Sequence, residues 1–593
     1  MTTETEDEAT LIARVRAKPD DARAWQRLGV LYGKAGRSPR AIVAFRETLR
    51  FRPDDPAAFN GIGIIWASLG YNDRAIAAFE SALSRRPGYA EAHYNLAKVL
   101  STVGREPLAL AALREALRLR PSYLAARKEL ADKLTARKAF DEALEHRRFL
   151  AEAHPDDGPS QELYAALLSR IGRHEESIAR YRRTLELTPE SIGAWIGLGV
   201  AHIRMNQIEQ AEAPLEKARA LAPEVAPVYQ NLGLIQERRG KPADAIALYR
   251  RCHELDPKAT EGVAGIGMCK LKLGDFEGGF ADYEVREDSS NERRHTVLRS
   301  RPGLREWRGE AVAKGASLLV FDEQGLGDML HFARFVPEAA RRFDRVVVEC
   351  RPPLTRIFAE SFGPRIELRG RTDPLPIDLP DHYIRIMSLA HALRERIDTV
   401  GRYVPYLRAP GELVATWGAK LPRRDGRPRI GLVWAGNPQN PRDGLRSVTL
   451  DQLAPLLALD RVRWVSMQKE VDAATAARLD AAGIDRTIEA VTDFADTAAI
   501  LAHLDLLITV DTSVAHLAGA LGRPVWMMSR HESEWRWMLE RADSPWYPTM
   551  RVFRQARAGD WPATIAAVRE ALVPRLGAAS PPRSVARELA GGE

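Results

Sequence analysis

Cysteine is almost missing from these 593 residues: there are three, Cys252, Cys269 and Cys350. None stands in a CxxC pair or at metal-ligand spacing, which excludes a disulfide framework and a cysteine-held zinc site. Cys252 and Cys269 are expected as buried small thiols in helices, in keeping with a reducing cytoplasm. No apolar stretch approaches the roughly 18 residues of a membrane span. The N-terminus, MTTETEDEAT, is acidic and polar, at odds with a secretory signal, so a cytoplasmic location is expected. Runs of lysine or arginine are absent as well, and a net charge of +7 is small for this length, so nucleic acid is not the expected partner. What remains, 45% hydrophobic and 28% charged, is the composition of a globular chain with more than one domain.

The strongest positive feature is a period. Prolines at 19, 53, 87, 121, 155, 189, 223 and 257 stand at one constant spacing. In the same register, small residues recur as Gly29, Gly63, Ala97, Ala131, Ala165, Gly199, Gly233 and Gly267. A second small-residue register runs Ala41, Ala75, Ala109, Ala143, Ser177, Ala211, Ala245 and Gly279. Four places on stand the bulky Phe45, Phe79, Leu113, Tyr181, Leu215, Tyr249 and Tyr283. Small residues let paired helices approach, the bulky ones fill the space between units, and proline ends each second helix. The pattern Trp25-x-x-Leu28-Gly29-x-x-Tyr32, Ala41-x-x-x-Phe45, Pro53 resembles the tetratricopeptide repeat (TPR). That resemblance implies a right-handed α-solenoid with a concave groove.

Beyond Pro257 the texture changes. A polar stretch, Arg286 to Arg301, reads as a connector. Apolar runs then alternate with helical patterns: strands at Ser317–Phe321, Arg345–Glu349, Ile430–Trp434, Val462–Ser466, Leu506–Val510 and Pro524–Met528. Helices are expected at Met329–Arg342, Leu450–Leu459, Ala473–Ala482, Asp496–His503 and Val514–Leu521. Continuous apolar strands of this kind belong to parallel sheets covered on both faces.

Two strand-to-helix turns carry the candidate chemistry. Gln324-Gly325-Leu326-Gly327-Asp328-Met329-Leu330-His331 follows the first strand, and its glycines let backbone approach a ligand at a helix N-terminus. The same residues also read as a tight turn with an Asp cap. Val510-Asp511-Thr512-Ser513-Val514-Ala515-His516 ends a strand at the carboxyl edge where open α/β sheets bind ligands. Thr512 and Ser513 can cap its helix, and His516 can donate to the same anion, or simply pack. Arg446, with Arg442 second, stands in a loop after Val433-Trp434-Ala435-Gly436-Asn437, as a cation for a ligand or as a solvated charge. Gln468 and Lys469 end another strand in the same half, and the aromatics Trp535, Trp537, Trp546 and Tyr547 read mainly as packing.

The first turn resembles the opening segment of the ADP-heptose heptosyltransferases (glycosyltransferase family 9), and the second their DT-G-x-x-H-L-A-A-A-L-G segment, with Ser513 where that family usually has glycine. Strings like EQGLGD, WAGNP, RS, VDT-x-x-AHLAGALG and WYP-x-MR occur in this order in bacterial TPR–glycosyltransferase fusions, and O-GlcNAc transferase (family 41) is similar in its tethering to TPRs. The resemblance implies a TPR solenoid followed by a GT-B module of two Rossmann-like parallel-sheet halves, α plus α/β overall. It makes Asp328 the candidate catalytic base, His331 its support, and Gly325, Gly327, Arg446, Gln468, Lys469, Asp511, Thr512, Ser513, Val514 and His516 the donor and phosphate site. The implied reaction transfers a sugar from a nucleotide-sugar to a protein or glycan acceptor held by the TPR groove, with inversion. No Asp-x-Asp stands at a strand end, so neither metal nor cofactor is expected. In the O-GlcNAc transferase arm a groove asparagine precedes the helix A leucine; here only Asn95 and Asn231 match, against Arg27, Gly61, Glu129, Leu163 and Gly197. The alternative is a non-catalytic TPR scaffold with a degenerate or nucleotide-sensing module. Expected boundaries are 1–19 (polar segment and first helix), 20–290 (solenoid), 291–314 (connector), 315–421 and 429–575 (the two halves), 422–428 (hinge) and 576–593 (disordered tail).

Overall fold

The computed structural model describes residues 7–286, 294, 296–298, 303–371, 373, 380–439 and 443–576. The expected tail, most of the polar connector and Arg442 lie outside the described residues. Contacts divide the chain into two compact units, Met1–Ala222 and Pro223–Glu593.

The first unit consists of TPR helix pairs, as in Ala22–Lys34 and Ser38–Phe51, of 13 and 14 residues. Asp21, Asp55, Asp157 and Ser191 cap first helices through side-chain oxygens, which satisfies otherwise orphaned N–H groups. A Cβ on Gly29 would fall 2.7 Å from the Phe45 ring, and one on Gly63 2.6 Å from the Phe79 ring, so the small-residue register is a packing requirement. Between the paired helices runs a third register, with positive φ at Gly36, Gly70, Gly104, Lys138, Gly172, Asn206, Gly240 and Gly274. Left-handed backbone suits glycine, so the turn tolerates Asn206 and is strained at Lys138. The repeat containing Lys138 is irregular twice over, because Arg147 replaces the bulky residue; it is buried and paired with Asp132. A cavity of about 730 Å³ opens beside Asn95, Lys98, Glu129 and Lys133. The Asn95 amide is already engaged, donating to Asn60 Oδ1 at 3.1 Å.

The second unit begins with two more helix pairs, the last being Thr260–Leu273 and Phe276–Tyr283. Two five-stranded sheets follow, all strands parallel within each. The first contains β1 (Arg305–Glu306), β2 (Ser317–Phe321), β3 (Arg345–Cys350), β4 (Ile366–Gly370) and β5 (His382–Arg385), ordered β1-β5-β2-β3-β4. The second contains β6 (Arg429–Val433), β7 (Arg463–Ser466), β8 (Leu506–Val510), β9 (Val525–Ser529) and β10 (Met550–Arg554), ordered β10-β9-β8-β6-β7. This is a GT-B-like α/β module.

Three expectations need correction. The helix expected at Met329–Arg342 starts at Leu326 and ends at Phe332, passing into a 3-10 turn and a short helix, Val336–Ala339. Pro337 has no N–H to continue the ladder there. The connector is not a plain linker: β1 falls inside its 291–314 span, and Arg286, the first residue of the polar stretch, is buried, with its guanidinium bidentate on Glu323 at 2.7 and 2.8 Å. Glu284, beside it, accepts from Arg385 and Ser388, so the end of the last repeat is ion-paired into the first sheet's side of the module. Nor is the crossing between halves confined to 422–428: the helix Gly411–Lys420 already docks on the second half, where Trp417 Nε1 donates to Asp496 at 3.0 Å. One hydrophobic core runs from Leu271, Phe276 and Phe280 of the last repeat through β2 and β3 to Trp535, Trp546 and Tyr547. Phe276 stacks on Trp546 at 5.0 Å and Phe280 meets Trp535 edge-on at 5.9 Å. All three cysteines are buried, and burial pushes the Cys269 and Cys350 thiols up to about 12. Among the described residues no helix is long and apolar enough to cross a membrane.

Candidate active site

After β2 the chain continues through two wholly buried acids. Arg351 holds Asp322 at 2.8 Å and Arg371 holds it at 2.5 Å, while Arg286 holds Glu323. These ion pairs fix the strand end, so the following turn is rigidly presented. Gln324 adopts φ 60°, a left-handed conformation that a non-glycine residue takes only where its surroundings enforce it. Gly325 is the N-cap of the helix Leu326–Phe332, and its N–H donates to Asp328 Oδ2 at 2.9 Å. The other Asp328 oxygen accepts from Arg536, whose guanidinium lies over the Trp535 ring at 4.4 Å. Burial opposes the Arg536 charge, but the Asp328 and Glu534 carboxylates more than offset it and hold its pKa above the ordinary arginine value. Asp328 itself is half-buried at the mouth of the turn.

The second turn leaves β8 at Val510. Asp511 and Thr512 to Val514 are half-buried, and Thr512 occupies the N-cap of the helix Ser513–Ala520. The expected hydroxyl cap does not form: Thr512 Oγ1 lies 3.3 Å from Thr509 Oγ1, so no side chain caps the first turn of this helix. Burial, together with the Glu534 carboxylate, raises the Asp511 pKa, against the pull of Arg446 and Arg530.

Gly327 joins the two turns. A Cβ there would stand 3.1 Å from His516 Cδ2 and 3.6 Å from Ser513 Cα, so this helix packs closely against the start of the other. Two segments almost two hundred residues apart in sequence thereby share one place. Behind them His331 and His516 are buried, with ring centroids 5.1 Å apart. His331 thus lies a turn deeper than a direct partner of the base would. Each imidazole is held well below the usual histidine range, first by burial and then by neighbouring cations, Arg334 and Arg536 in both cases.

The remaining expected residues lie in the second sheet's loops. Arg446 Nε donates to Asp443 at 2.9 Å, and its guanidinium rests against Gly436, where a Cβ would fall 2.5 Å from Nη2. Gln468 accepts from the Ala435 N–H at 3.2 Å and so braces the same loop. Lys469 is exposed just past β7. Three residues at the centre were not expected there: Arg536, Tyr547 and Arg334. Arg334 is buried and donates to the carbonyls of His331, Val400 and Trp546. An arginine between two tryptophans, Trp535-Arg536-Trp537, is the one local hint, since a charge inside an aromatic run requires a buried partner. Among the described residues no cluster of three His, Cys, Asp or Glu is arranged to hold a metal ion.

Comparison with known proteins bears on both parts. Tetratricopeptide-repeat profiles match residues 8–56, 27–90, 67–123, 172–233 and 226–259. The irregular repeat of Lys138 and Arg147 falls in none of these ranges. The profile of glycosyltransferase family 9 (heptosyltransferase) matches residues 461–554, which include Asp511 to His516 and Tyr547 but not Asp328. Protein FlbA of Caulobacter vibrioides is 26% identical over 457 residues, covering 73% of this chain and 70% of FlbA. Among solved structures, the C-terminal part of a TPR repeat-containing protein from Cytophaga hutchinsonii is 16% identical with a TM-score of 0.33, covering 40% of this chain and 98% of that one. MamA of Desulfovibrio magneticus, from residue 41 on, is 20% identical with a TM-score of 0.26, covering 28% and 95%. The chain carries tetratricopeptide repeats in its N-terminal region and a glycosyltransferase family 9 domain at its C-terminus.

Proposed function

We propose that the C-terminal module transfers a sugar from a nucleotide-sugar to a hydroxyl of a protein or glycan, with inversion and without a metal. The observation that carries this reading is the contact of Gly327 with Ser513 and His516, which puts a carboxylate and an uncapped helix N-terminus side by side. In the reaction the acceptor oxygen bonds to the sugar's anomeric carbon, and the bond from that carbon to the diphosphate breaks. The acceptor proton passes to Asp328, and the negative charge grows on the departing nucleotide diphosphate. Backbone N–H groups of the Ser513 helix, His516 and Arg446 receive that charge. The repeats hold the acceptor and raise its local concentration.

The rival reading, a nucleotide-sensing or scaffold module, draws on the pairing of Asp328 with Arg536, since an engaged carboxylate must be released before it takes a proton. The two readings separate in one experiment. Incubation with a panel of nucleotide-sugars and cell-extract protein should release nucleotide and add a sugar mass to an acceptor. Nucleotide binding with neither release nor mass addition across the panel would favour the sensor, and no binding at all the scaffold.

A further inference from the structure

Tyr547 is wholly buried, and its hydroxyl stands 2.9 Å from His331 Nδ1 and 3.0 Å from His516 Nδ1. It is held there from two sides. Gly519 offers no Cβ, which would otherwise fall 2.5 Å from the Tyr547 ring, and Arg334 lies over the ring at 4.7 Å. The nearby Tyr406 hydroxyl donates to the Leu330 carbonyl at 2.9 Å, and is 3.5 Å from the Tyr547 oxygen.

A phenol has one proton, and a neutral imidazole has one N–H. Two Nδ1 atoms within bonding distance of one hydroxyl therefore cannot both accept from it. The Tyr406 oxygen, at 3.5 Å, lies at the limit of hydrogen bonding, so the phenol proton goes to the closer imidazole: one ring carries its proton on Nδ1 and donates to the phenol oxygen, and the other has a bare Nδ1 and carries its proton on Nε2. The surroundings select which. His331 Nε2 is buried with no hydrogen-bond partner among the described residues. A proton there would be an orphaned buried donor, which folded proteins avoid more strictly than an under-used acceptor. His331 is then the Nδ1–H ring, Tyr547 accepts from it and donates to His516, and His516 carries its proton on Nε2. That nitrogen faces the Gly325–Asp328 turn, 3.8 Å from where a Gly327 Cβ would stand.

From this geometry we infer that Tyr547 is a positioning residue, which fixes His516 as an uncharged Nε2–H donor aimed at the phosphate of a bound nucleotide. The inference rests on the donor-site reading above. Its consequence is a donor whose direction is set by a chain of hydrogen bonds from one half of the module to the other: His331 follows β2 of the first sheet, and His516 follows β8 of the second. The site then offers an anion an N–H that needs no protonation event, beside the backbone N–H groups of the same helix.

The test is the ring 15N spectrum of the histidine-labelled full-length protein, with His331→Gln and His516→Gln used only to assign signals. The expected result at neutral pH is two neutral rings of opposite tautomer, His331 protonated on Nδ1 and His516 on Nε2. Both rings in one tautomer, the reverse assignment, or a doubly protonated ring would overturn the inference. Titration with UDP, ADP and GDP then separates it from the reading it rests on. The nucleotide that binds should shift the His516 Nε2 signal, and Tyr547→Phe should weaken its binding roughly five- to tenfold, the worth of one neutral hydrogen bond. A nucleotide that binds without moving that signal would refute the role of His516 and leave the donor site standing. If none of the three, nor CDP or dTDP, binds at all, the donor-site reading fails and the assignment of Tyr547 falls with it.

Discussion

Acidification from about pH 7.5 to about pH 5.5 should destabilise the Pro223–Glu593 unit by about 3 kcal/mol through His331 and His516 alone. Both rings are buried and neutral in the fold, because burial and the Arg334 and Arg536 guanidinia hold their pKa values well below the ordinary range. In the unfolded chain each titrates near about 6.5. Below that pH the unfolded state binds protons that the folded state does not. The stabilising contribution is therefore complete above about pH 6.5 and is lost progressively as pH falls toward the folded-state values. One pH unit below the unfolded pKa the loss is about 1.4 kcal/mol per histidine. Urea unfolding read by pulse proteolysis, following fragments of this unit by mass spectrometry, measures it at both pH values. His331→Gln and His516→Gln each lower stability at every pH, so the informative quantity is the difference between the two pH values: each variant should reduce it by about 1.4 kcal/mol, the pair by about 3. An unchanged difference in the double variant would show that the rings are not neutral and buried as described.

Gly436→Ala should displace both members of the Asp443–Arg446 pair, because the new Cβ would fall 2.3 Å from Asp443 Oδ1 and 2.5 Å from Arg446 Nη2. Asp443 is buried and also accepts from Ser447, so the substitution should cost about 1 to 3 kcal/mol in urea unfolding, while sugar-transfer turnover falls about tenfold or more in steady-state kinetics. Glu323→Gln leaves the buried Arg286 with Glu284 as its charged partner and should cost about 3 kcal/mol, measured by urea unfolding of the same unit. Lys138→Gly should stabilise the first unit by up to about 1 kcal/mol, since it relieves the left-handed backbone at φ 61°; a loss of stability in thermal melts would contradict that turn geometry.

The repeat architecture was legible because a period of prolines and small residues reports helix pairing directly. The third register, from Gly36 to Gly274, was as regular in space but hidden in sequence, since Lys138 and Asn206 break its chemistry without breaking its conformation. Strands β2 and β8 stand where the apolar runs placed them, whereas β1 and β5 did not announce themselves: Arg305–Glu306 is too short and polar to read as a strand, and only its pairing with His382 and Tyr383 makes it one. The two turns could be found as glycine- and hydroxyl-rich strand ends. Their proximity could not, because it depends on a single missing Cβ at Gly327. Arg536 and Tyr547 escaped for a related reason. Each bonds a residue of the first turn about two hundred positions away, Asp328 for Arg536 and His331 for Tyr547, and locally each sits in an aromatic run that reads as packing. The last repeat was expected to end in a linker, but Phe276, Phe280, Glu284 and Arg286 build it into the module.

On the proposed function, Asp328 and the Asp511–His516 turn act as one transferase site, with Asp328 taking the acceptor's proton. The measurement that tests it most directly compares wild type with Asp328→Asn, using the nucleotide-sugar that the panel identifies, and reads nucleotide affinity and sugar-transfer turnover side by side. The expected result is affinity within about threefold of wild type and turnover lower by about a hundredfold or more. Turnover that survives the substitution, at full protein stability, would contradict it.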